Sequence, residues 1–527
     1  MNRRTFLGLS TGALFAADVG PSVLDPESFR HYVEEFNRTY KEEVVNYIPD
    51  AQAWEWMKRN IPFFACPDRD IEQIYYYRWW TYRKHIKETP LGFIVTEFLK
   101  PVKHAAEFNA LSCAFGHHVA EGRWLHDPRF LDGDIQFWLR TGENGGIRNN
   151  FHQFSGWAAP ALYGRWLVDG RRDFLASYLD ALMLDYAAWD RERLTESGLY
   201  WQRDVSDGME SSISGGRRVR NLRPSINSYM YGNAKASAAI ASMAANDPAA
   251  RDYSDKAARL KNLVERRLWS PDAAFFETRL ESGEFAPVRE QIGYTPWYFD
   301  LPDDRAGYAA AWTQLMDPNG FYAPYGPTTA ERRHPEFQIP YQGDDCQWDG
   351  PSWPFSTTLT LTALANVLNG YHQGAVSKED FFRTLQIYTR SQHLKLEDGR
   401  VVPFIDENLN PLTGEWLARA NKIRKKTFYG RGDPYNHSGY ADLVITGLAG
   451  LRPRADGMIE VNPLAPAGWD WFCLDHVLYH GRILSVIWDK TGGKFGKGKG
   501  LRLLAGGTEI ARSAELTRIA RSLPGAR

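Results

Sequence analysis

The chain has 527 residues, a net charge of −1 and a hydrophobic fraction of 43%, so it is long enough to bury a large core. The charge is balanced and no basic block stands out, which argues against a nucleic-acid partner. The aromatic fraction is high, at 14% with 19 Trp, and several aromatic residues fall in polar, loop-like segments. Core packing explains most of them, but aromatic rings also stack on the C–H-rich faces of sugars. A carbohydrate partner is therefore favoured.

The first residues have the pattern of an export signal. Arg3 and Arg4 precede a short apolar run that ends in small residues, as in a twin-arginine signal. The run is too short to span a membrane comfortably. We therefore exclude residues 1–17 from the fold, and we expect a periplasmic or secreted protein whose mature form is not inserted in a membrane.

The cysteines point to neither a metal site nor a disulfide framework. They are widely spread and lack metal-ligand spacing, and a twin-arginine signal exports proteins that are already folded. We expect buried thiols, no bound metal and no cofactor. The four residues are Cys66, Cys113, Cys346 and Cys473.

From residue 25 to residue 453, apolar helical runs alternate with loops rich in glycine, proline and aromatic residues. Roughly a dozen helices, with function-bearing loops between alternate pairs, predict a mainly α-helical (α/α)6 toroid of the six-hairpin type. No strict sequence repeat is visible, so this prediction depends on helix number and loop character. Arg78 and Arg83 lie in an aromatic run too dense for a surface, and we expect both to form ion pairs within the scaffold.

The pattern changes after about residue 453. Short β-rich runs are separated by turns that contain Gly, Asn and Asp. These runs predict a small antiparallel β domain over residues 455–520, packed on the barrel and followed by a polar tail.

Residues 197–215 form a loop between two predicted helices that combines acidic, aromatic and glycine residues. It contains Asp207 and Glu210 together with Tyr200 and Trp201. Loops on a rigid helical scaffold can present polar side chains for function. An Asx-rich turn that caps the next helix is an equal alternative for this stretch taken alone.

Two later segments favour the functional interpretation. Residues 347–354 read QWDGPSWP and residues 407–414 read ENLNPLTG, while residues 208–210 of the loop read GME. Together they resemble the helical-barrel glycosidases related to glycoside hydrolase family 63, the trehalases and the mannosylglycerate hydrolases. The resemblance spans about residues 60–452, and the tryptophan–proline segment is its most specific part.

This resemblance implies an inverting hydrolase with Glu210 as general acid and Glu407 as general base. The family usually has Asp at the acid position, whereas this chain has Glu, so Asp207 in the same loop is an alternative acid. An inverting glycosidase needs two carboxyl groups roughly 6.5 to 9.5 Å apart, which leaves room for the attacking water. Burial among tryptophans would raise the pKa of the acid. Without the resemblance, Glu407 would be interpreted as an acid that caps the turn before Pro411.

Aromatic and polar residues near these segments complete the predicted substrate site. We expect Trp348 and Asp349 to line the subsite of the nonreducing sugar, although Asp349 could instead cap the next helix and Trp353 could be structural. His437 precedes the last barrel helix, where a scaffold histidine is an equal alternative to a ligand contact. The predicted substrate-binding residues are Tyr200, Trp201, Trp348, Asp349, Trp353, His152, Gln153, Trp157 and His437.

Three other functions remain as alternatives. A polysaccharide lyase on a similar toroid could use Tyr200 or His152 as its base and Arg203 to neutralise a uronate, but it leaves Glu407 and the tryptophan–proline segment unexplained. A glycoside phosphorylase would depend strictly on phosphate. A noncatalytic glycan-binding protein would keep its affinity without the two glutamates.

Overall fold

The structure is a computed structural model that describes residues 22–340, 346–424 and 432–523. The predicted signal segment, residues 1–17, lies outside the described residues. None of the described helices is both long enough and apolar enough to cross a membrane. The α-helices are α1 (Arg30–Thr39), α2 (Ala53–Asn60), α3 (Arg69–His85), α4 (Phe115–Gly122), α5 (Arg129–Arg140), α6 (Ala158–Asp169), α7 (Arg172–Ala176), α8 (Leu179–Arg193), α9 (Pro224–Met243), α10 (Asp247–Arg267), α11 (Thr295–Tyr298), α12 (Ala306–Ala309), α13 (Pro354–Gly370), α14 (Lys378–Ser391), α15 (Leu417–Arg424) and α16 (Tyr440–Leu443).

The strands are short in the helical region and longer near the C-terminus. They are β1 (Phe63–Ala65), β2 (Ile86–Thr89), β3 (Gly92–Val95), β4 (Trp201–Gln202), β5 (Asn221–Leu222), β6 (Trp269–Ser270), β7 (Phe275–Phe276), β8 (His393–Lys395), β9 (Val401–Pro403), β10 (Leu451–Pro453), β11 (Met458–Val461), β12 (Trp471–Tyr479), β13 (Arg482–Asp489), β14 (Gly500–Ala505), β15 (Thr508–Ser513) and β16 (Ile519–Ser522).

The helices form a toroid. Within the described residues, α4, α6, α9, α11, α13 and α16 each pack against the next, and α16 packs against α4, so they close an inner ring. Other helices, including α3, α5, α8, α10 and α14, alternate with these six along the chain. This alternation is the arrangement of an (α/α)6 barrel, and it confirms the fold class predicted from helix number and loop character.

Side-chain size explains why α9 is an inner helix and α10 is an outer one. Pro224 begins α9, which is rich in small residues and buried on nearly every face. Gly232 lets it approach Phe299 so closely that a Cβ at Gly232 would lie 2.4 Å from that ring. The longer α10 is amphipathic and buries a single stripe at helical spacing. The buried residues of that stripe are Ala249, Tyr253, Ala257, Leu260 and Val264.

The C-terminal strands form the predicted small β region. One antiparallel sheet has the order β1-β12-β13-β14-β15, and a second has the order β10-β11-β16. The edge strand β1 comes from the N-terminal part of the chain, where Phe63 pairs with Asp475. The Asp475 carboxylate also accepts hydrogen bonds from the main-chain N–H groups of Val23 and Leu24. The start of the described chain is thereby fastened to its C-terminal part.

Both buried arginines of α3 form the expected ion pairs within the scaffold. Arg78 lies 3.3 Å from Glu121, with both side chains fully buried, and Arg83 pairs with Asp50. Removing one partner of a buried pair costs about 3–5 kcal/mol because the other charge is left uncompensated. Substitution of either arginine alone should therefore destabilise the barrel.

The four cysteines are free thiols. The expectation of buried thiols is met by two of them, Cys66 and Cys473. The other two, Cys113 and Cys346, are only half-buried as residues and lie beside the candidate site. Both lie in connections between helices, beside Gly208.

Candidate active site

The connections that precede the inner helices carry most of the predicted site residues. In a toroid of helical hairpins the inner helices run in the same direction, so their N-termini share one mouth. Trp157 and Trp353 are the N-cap residues of α6 and α13. Because Pro354 begins α13, Trp353 must be extended, and its φ of −125° and ψ of 128° agree. His437 lies three residues before α16.

The structure brings Glu210 and Glu407 together from connections that are far apart in sequence. Glu210 lies between β4 and β5, and Glu407 lies between β9 and α15. The two carboxyl groups interact electrostatically, and both act on the thiol of Cys346. Glu407 is only 2% exposed. Two carboxyl groups that interact in a buried environment are what paired acid and base chemistry requires.

The environment of Glu210 favours its protonated form. Burial is the largest influence and raises the pKa of this carboxyl above the ordinary glutamate value, and the charge of Glu407 acts in the same direction. A hydrogen bond with Cys346 and the positive charge of Arg217 oppose this rise. Oε2 of Glu210 is buried and accepts no hydrogen bond from the described residues. Glu210 can therefore hold a proton and has an oxygen available to a ligand.

Two cysteines flank Gly208, two residues before Glu210, and the sequence analysis did not assign either to the site. Sγ of Cys346 donates to the carbonyl oxygen of Gly208 at 3.1 Å. Cys113 is so close that a Cβ at Gly208, whose φ is +77°, would lie 3.0 Å from its Sγ. Burial raises the pKa of both thiols, so they remain protonated. Cys346 directly precedes the QWDGPSWP segment, and this position in the sequence could have indicated that it lies at the candidate site.

Asp207, the alternative acid, lies in a different environment. It is buried, and Oδ2 accepts from Nε of Arg223 at 2.9 Å and from the hydroxyl of Ser225. Arg223 also donates to Asp204. Burial raises the pKa of Asp207, and the charge of Arg223 acts against the rise. These bonds fasten the loop to the N-terminus of α9, with Arg223 as its N-cap residue.

Aromatic rings cluster beside the glutamates, and we call this cluster the aromatic floor of the candidate site. The rings of Trp348 and Trp353 stack with centroids 4.9 Å apart and an interplanar angle of 15°. Phe355 connects them to Trp157, at 6.0 Å, and to His437, at 6.3 Å. Nε1 of Trp348 is buried and has no hydrogen-bond partner among the described residues. A buried donor without a partner is the kind of group that a ligand hydroxyl satisfies.

His437 lies between this floor and Glu407. Its ring packs on Tyr435 with centroids 3.7 Å apart, and it contacts the main chain of Glu407. Burial lowers the pKa of His437 well below the usual value, so the ring is neutral. The hydroxyl of Tyr435 donates to Glu97, and neither of these two residues was found by sequence analysis. They come from segments without a recognisable motif.

Asp349 follows Trp348 and lies at the edge of the floor. Its Oδ2 accepts from the side-chain amide of Gln338, whose main-chain N–H donates to the carbonyl oxygen of Asp349 at 3.1 Å. Burial raises the pKa of Asp349, and hydrogen bonds oppose the rise. The side chain is positioned by Gln338 and not by the cap of the next helix.

Two other predicted residues, Tyr200 and His152, bond to acids on α8. The hydroxyl of Tyr200 donates to Asp190. Nδ1 of His152 lies 3.1 Å from Asp185, and its ring packs on Trp189 with centroids 3.6 Å apart. Within the described residues, neither side chain forms a hydrogen bond with the two glutamates.

The last two predicted residues, Gln153 and Trp201, also lie outside the glutamate cluster. Gln153 is exposed. The half-buried ring of Trp201 lies beneath arginine side chains. A sugar-stacking role for Trp201 stays a prediction, since the guanidinium groups already lie over its ring.

Comparison with known proteins adds the family. Residues 107–438 match the mannosylglycerate hydrolase MGH1-like glycoside hydrolase domain, and residues 451–511 match the C-terminal domain of glycosyl hydrolase family 65. A solved structure titled "Sialidase" is 48% identical over 94% of this chain, with a TM-score of 0.89. The chain spans only 44% of the length of that protein.

Two rhamnosidases share the fold at low sequence identity. The family 78 rhamnosidase of Bacillus sp. GL1 is 11% identical with a TM-score of 0.54, over 81% of this chain and 40% of that one. The α-L-rhamnosidase of Streptomyces avermitilis, complexed with L-rhamnose, is 13% identical with a TM-score of 0.52, over 85% and 38% of the two chains. The family match covers most of the chain and includes both Glu210 and Glu407. This chain therefore belongs to the family of MGH1-like glycoside hydrolases.

Proposed function

We propose that this protein is an inverting glycoside hydrolase in which Glu210 is the general acid and Glu407 is the general base. The observation that carries the proposal is the electrostatic interaction of these two carboxyl groups, together with the pKa of Glu210, which is raised by burial. A protonated carboxyl beside a second carboxyl, each from a different loop, matches the needs of a single-displacement hydrolysis.

The reaction follows from these two positions. Glu210 donates its proton to the glycosidic oxygen as the bond from the anomeric carbon to that oxygen breaks. Glu407, as carboxylate, removes a proton from a water molecule that attacks the anomeric carbon from the opposite face. Glu210 ends ionised and Glu407 ends protonated, and proton exchange with solvent restores both.

The surroundings of the glutamates support this division of roles. Cys346 and His437 both keep neutral forms, because burial raises the pKa of the thiol and lowers that of the imidazole. The thiol and the imidazole are therefore polar neighbours of the glutamates that add no charge. The charge of Glu407 acts in the same direction as burial and raises the pKa of Glu210.

The substrate we propose is an oligosaccharide or a small glycoside. The Trp348–Trp353 stack presents an apolar surface beside the unpaired Nε1 of Trp348 and the carboxyl of Asp349. An apolar face with a few polar groups at its edge suits a sugar ring, whose C–H face and hydroxyl groups have the same distribution. We assign this surface to the nonreducing sugar.

The lyase alternative has less support. Its base would be Tyr200 or His152, but Nδ1 of His152 lies 3.1 Å from Asp185. The hydroxyl of Tyr200 donates to Asp190 and bonds to Tyr186, on the α8 side of the loop. A tyrosine engaged in this way would have to leave both partners to remove a proton from a uronate.

Export to the periplasm or the medium, directed by the N-terminal twin arginines, is a further part of the proposal.

The test is a screen of the purified protein against aryl glycosides and plant or microbial oligosaccharides, run beside the Glu210→Gln and Glu407→Gln variants. We expect hydrolysis of at least one substrate by the wild type and its loss in both variants. An unsaturated product that absorbs in the ultraviolet would identify a lyase instead. Strict dependence on phosphate would identify a phosphorylase, and glycan binding that survives both substitutions without any turnover would identify a binding protein.

A further inference from the structure

Three arginine side chains surround Trp201. The guanidinium carbons of Arg193, Arg220 and Arg203 lie 4.3, 4.7 and 5.7 Å from the centroid of its ring. Arg193 ends α8, Arg203 directly follows β4, and Arg220 directly precedes β5. The pairing of β4 with β5 brings the last two together. We name these three residues the arginine cluster.

The arginine cluster has no counter-ion within the part of the chain that the structure describes. None of the three guanidinium groups forms an ion pair or a side-chain hydrogen bond with a described residue, and the Nε atoms of Arg193 and Arg203 are buried without partners. The buried Arg223, by contrast, has two carboxylate partners. Two carboxylates lie nearby without pairing with these guanidinium groups. Glu192 attracts Arg193 but lies 3.4 Å from Nε2 of His152, and Glu281 accepts from the main-chain N–H of Arg220 at 2.6 Å.

Gathering three cations with no carboxylate paired to their guanidinium groups is unfavourable unless something else compensates their repulsion. Arg203 and Arg220 each disfavour the charge on Arg193, in addition to the effect of burial. The Trp201 ring compensates part of this cost through cation–π contacts. Stacked guanidinium groups are also held in place, so their free N–H donors are oriented before any ligand arrives. An oxyanion would supply the remaining compensation.

We propose that the arginine cluster binds an oxyanion, a carboxylate or a sulfate ester, carried by an acidic oligosaccharide. Guanidinium groups bind both kinds of oxyanion through paired, charge-assisted hydrogen bonds. Arg203 and Glu210 lie seven residues apart on the same connection between α8 and α9, and we infer that the acidic group belongs to a glycan that also reaches the glutamates. This inference rests on the proposed hydrolase function and adds to it the charge of the substrate.

Trp201 then acts differently from its predicted role. Its ring holds the guanidinium groups and so positions the residues that bind the anion, while the apolar surface for a sugar is the Trp348–Trp353 stack. A nucleic acid would need an extended basic surface, whereas the chain has a net charge of −1 and the arginine cluster is a single local group. These features favour a glycan.

The test measures binding by calorimetry with the Glu407→Gln variant, so that turnover does not consume the ligand. The probes are tetrasaccharides of polygalacturonate and alginate (carboxylates), a κ-carrageenan tetrasaccharide (sulfate ester without carboxylate) and cellotetraose (neutral). We expect an acidic probe to bind more tightly than the neutral one, with affinity that falls as salt rises. The carboxylate and sulfate probes identify which oxyanion the cluster takes.

Adding Arg220→Gln should weaken that binding about tenfold, and adding Arg203→Gln as well should weaken it about tenfold again. Arg220 is exposed, so its substitution preserves the fold. Arg218→Gln, in the same exposed segment but without a contact to Trp201, is the matched control and should leave the affinity unchanged.

Equal binding of acidic and neutral probes, or equal losses in the Arg218 and Arg220 variants, would overturn the inference. So would arginine-dependent binding of a single-stranded DNA oligonucleotide without binding of any acidic oligosaccharide. Hydrolysis of a neutral glycoside that depends on both glutamates, with no affinity for any acidic probe, would overturn the anion site and leave the hydrolase proposal standing. Acidic binding without hydrolysis of any glycoside would count against the hydrolase alone.

Discussion

Nε of Arg223 donates to Oδ2 of Asp207 at 2.9 Å, and the same guanidinium group bonds to Asp204, all three side chains being buried. Glu210, three residues after Asp207, forms no ion pair with a described residue, and its Oε2 is unpaired. Asp207 is thus bound to the scaffold, whereas Glu210 interacts with Glu407. This difference gives the two candidate acids separate experimental signatures.

Substitution at Asp207 should affect stability, whereas substitution at Glu210 should affect chemistry. Asp207→Asn leaves Arg223 with one carboxylate fewer, and breaking a buried pair costs about 3–5 kcal/mol, so we expect a clear drop in Tm. Glu210→Gln should keep the wild-type Tm and lower kcat by about 10²- to 10⁴-fold. Thermal melts and steady-state kinetics of both variants provide the check. An inactive Asp207→Asn protein with an unchanged Tm, beside an active Glu210→Gln protein, would transfer the role of acid to Asp207.

The leaving group should distinguish the acid from the base. A nitrophenolate leaves without protonation, so Glu210→Gln should retain more activity on a nitrophenyl glycoside than on the natural glycosidic bond. Glu407→Gln should lose activity on both, because water must still be deprotonated. The comparison of kcat on the two substrate types for each variant is the measurement. The same loss on both substrates in Glu210→Gln would contradict its role as acid.

The basic limb of the pH profile should report Glu210. A general acid must be protonated, so activity falls as the pH rises through its pKa, and burial places that pKa above the ordinary glutamate value. Arg217 lowers the pKa of Glu210 through its charge, so Arg217→Gln should move the basic limb of kcat/KM to higher pH. Arg218→Gln is the matched control and should leave the limb in place. A shift to lower pH in the Arg217 variant would exclude Glu210 as the group that titrates.

The fold could be predicted from the sequence because helical periodicity and loop composition are local signals. The acids Glu210 and Glu407 and the aromatic Trp348 were found through short segments that resemble a family. Cys113 and Tyr435, which interact with those acids, have no such signal, since their contacts arise only when the inner helices close into a ring.

The positions of Tyr200 and of the arginine cluster also depend on contacts that the local sequence does not reveal. Tyr200 was assigned to the substrate because it stands in the acid-rich loop. It lies in extended backbone directly before β4, where successive side chains point to opposite faces, and its hydroxyl reaches Asp190 on α8. The arginine cluster was missed because its members come from three separated positions. Only the pairing of β4 with β5 and the end of α8 bring them to Trp201.

Deleting residues 1–17 should leave a soluble and active enzyme. The twin-arginine segment is predicted to act in export, and the described fold begins at Ser22, whose neighbours Val23 and Leu24 bond to Asp475. A shorter deletion that keeps Arg3 and Arg4 but removes the apolar run is the control for export. Activity and Tm of the purified variant are the measurements. Loss of folding would mean that the apolar run is a buried element and that the predicted location is wrong.

The stereochemistry of the product tests the mechanism more sharply than loss of activity. If Glu407 activates water across the sugar from Glu210, a single displacement inverts the anomeric carbon. A nucleophile would instead lie about 5 to 5.5 Å from the acid, and two displacements would give net retention.

Proton NMR in the first minutes of hydrolysis, before mutarotation, identifies the anomer that forms first. We expect the inverted anomer, with one oxygen from solvent in the released sugar when the reaction is run in ¹⁸O-water. The Asp207→Asn variant, if it retains activity, should give the same anomer, because Asp207 is bound to Arg223 and takes no part in the displacement. Initial release of the retained anomer would exclude Glu407 as a base and make it a nucleophile, even with both glutamates essential.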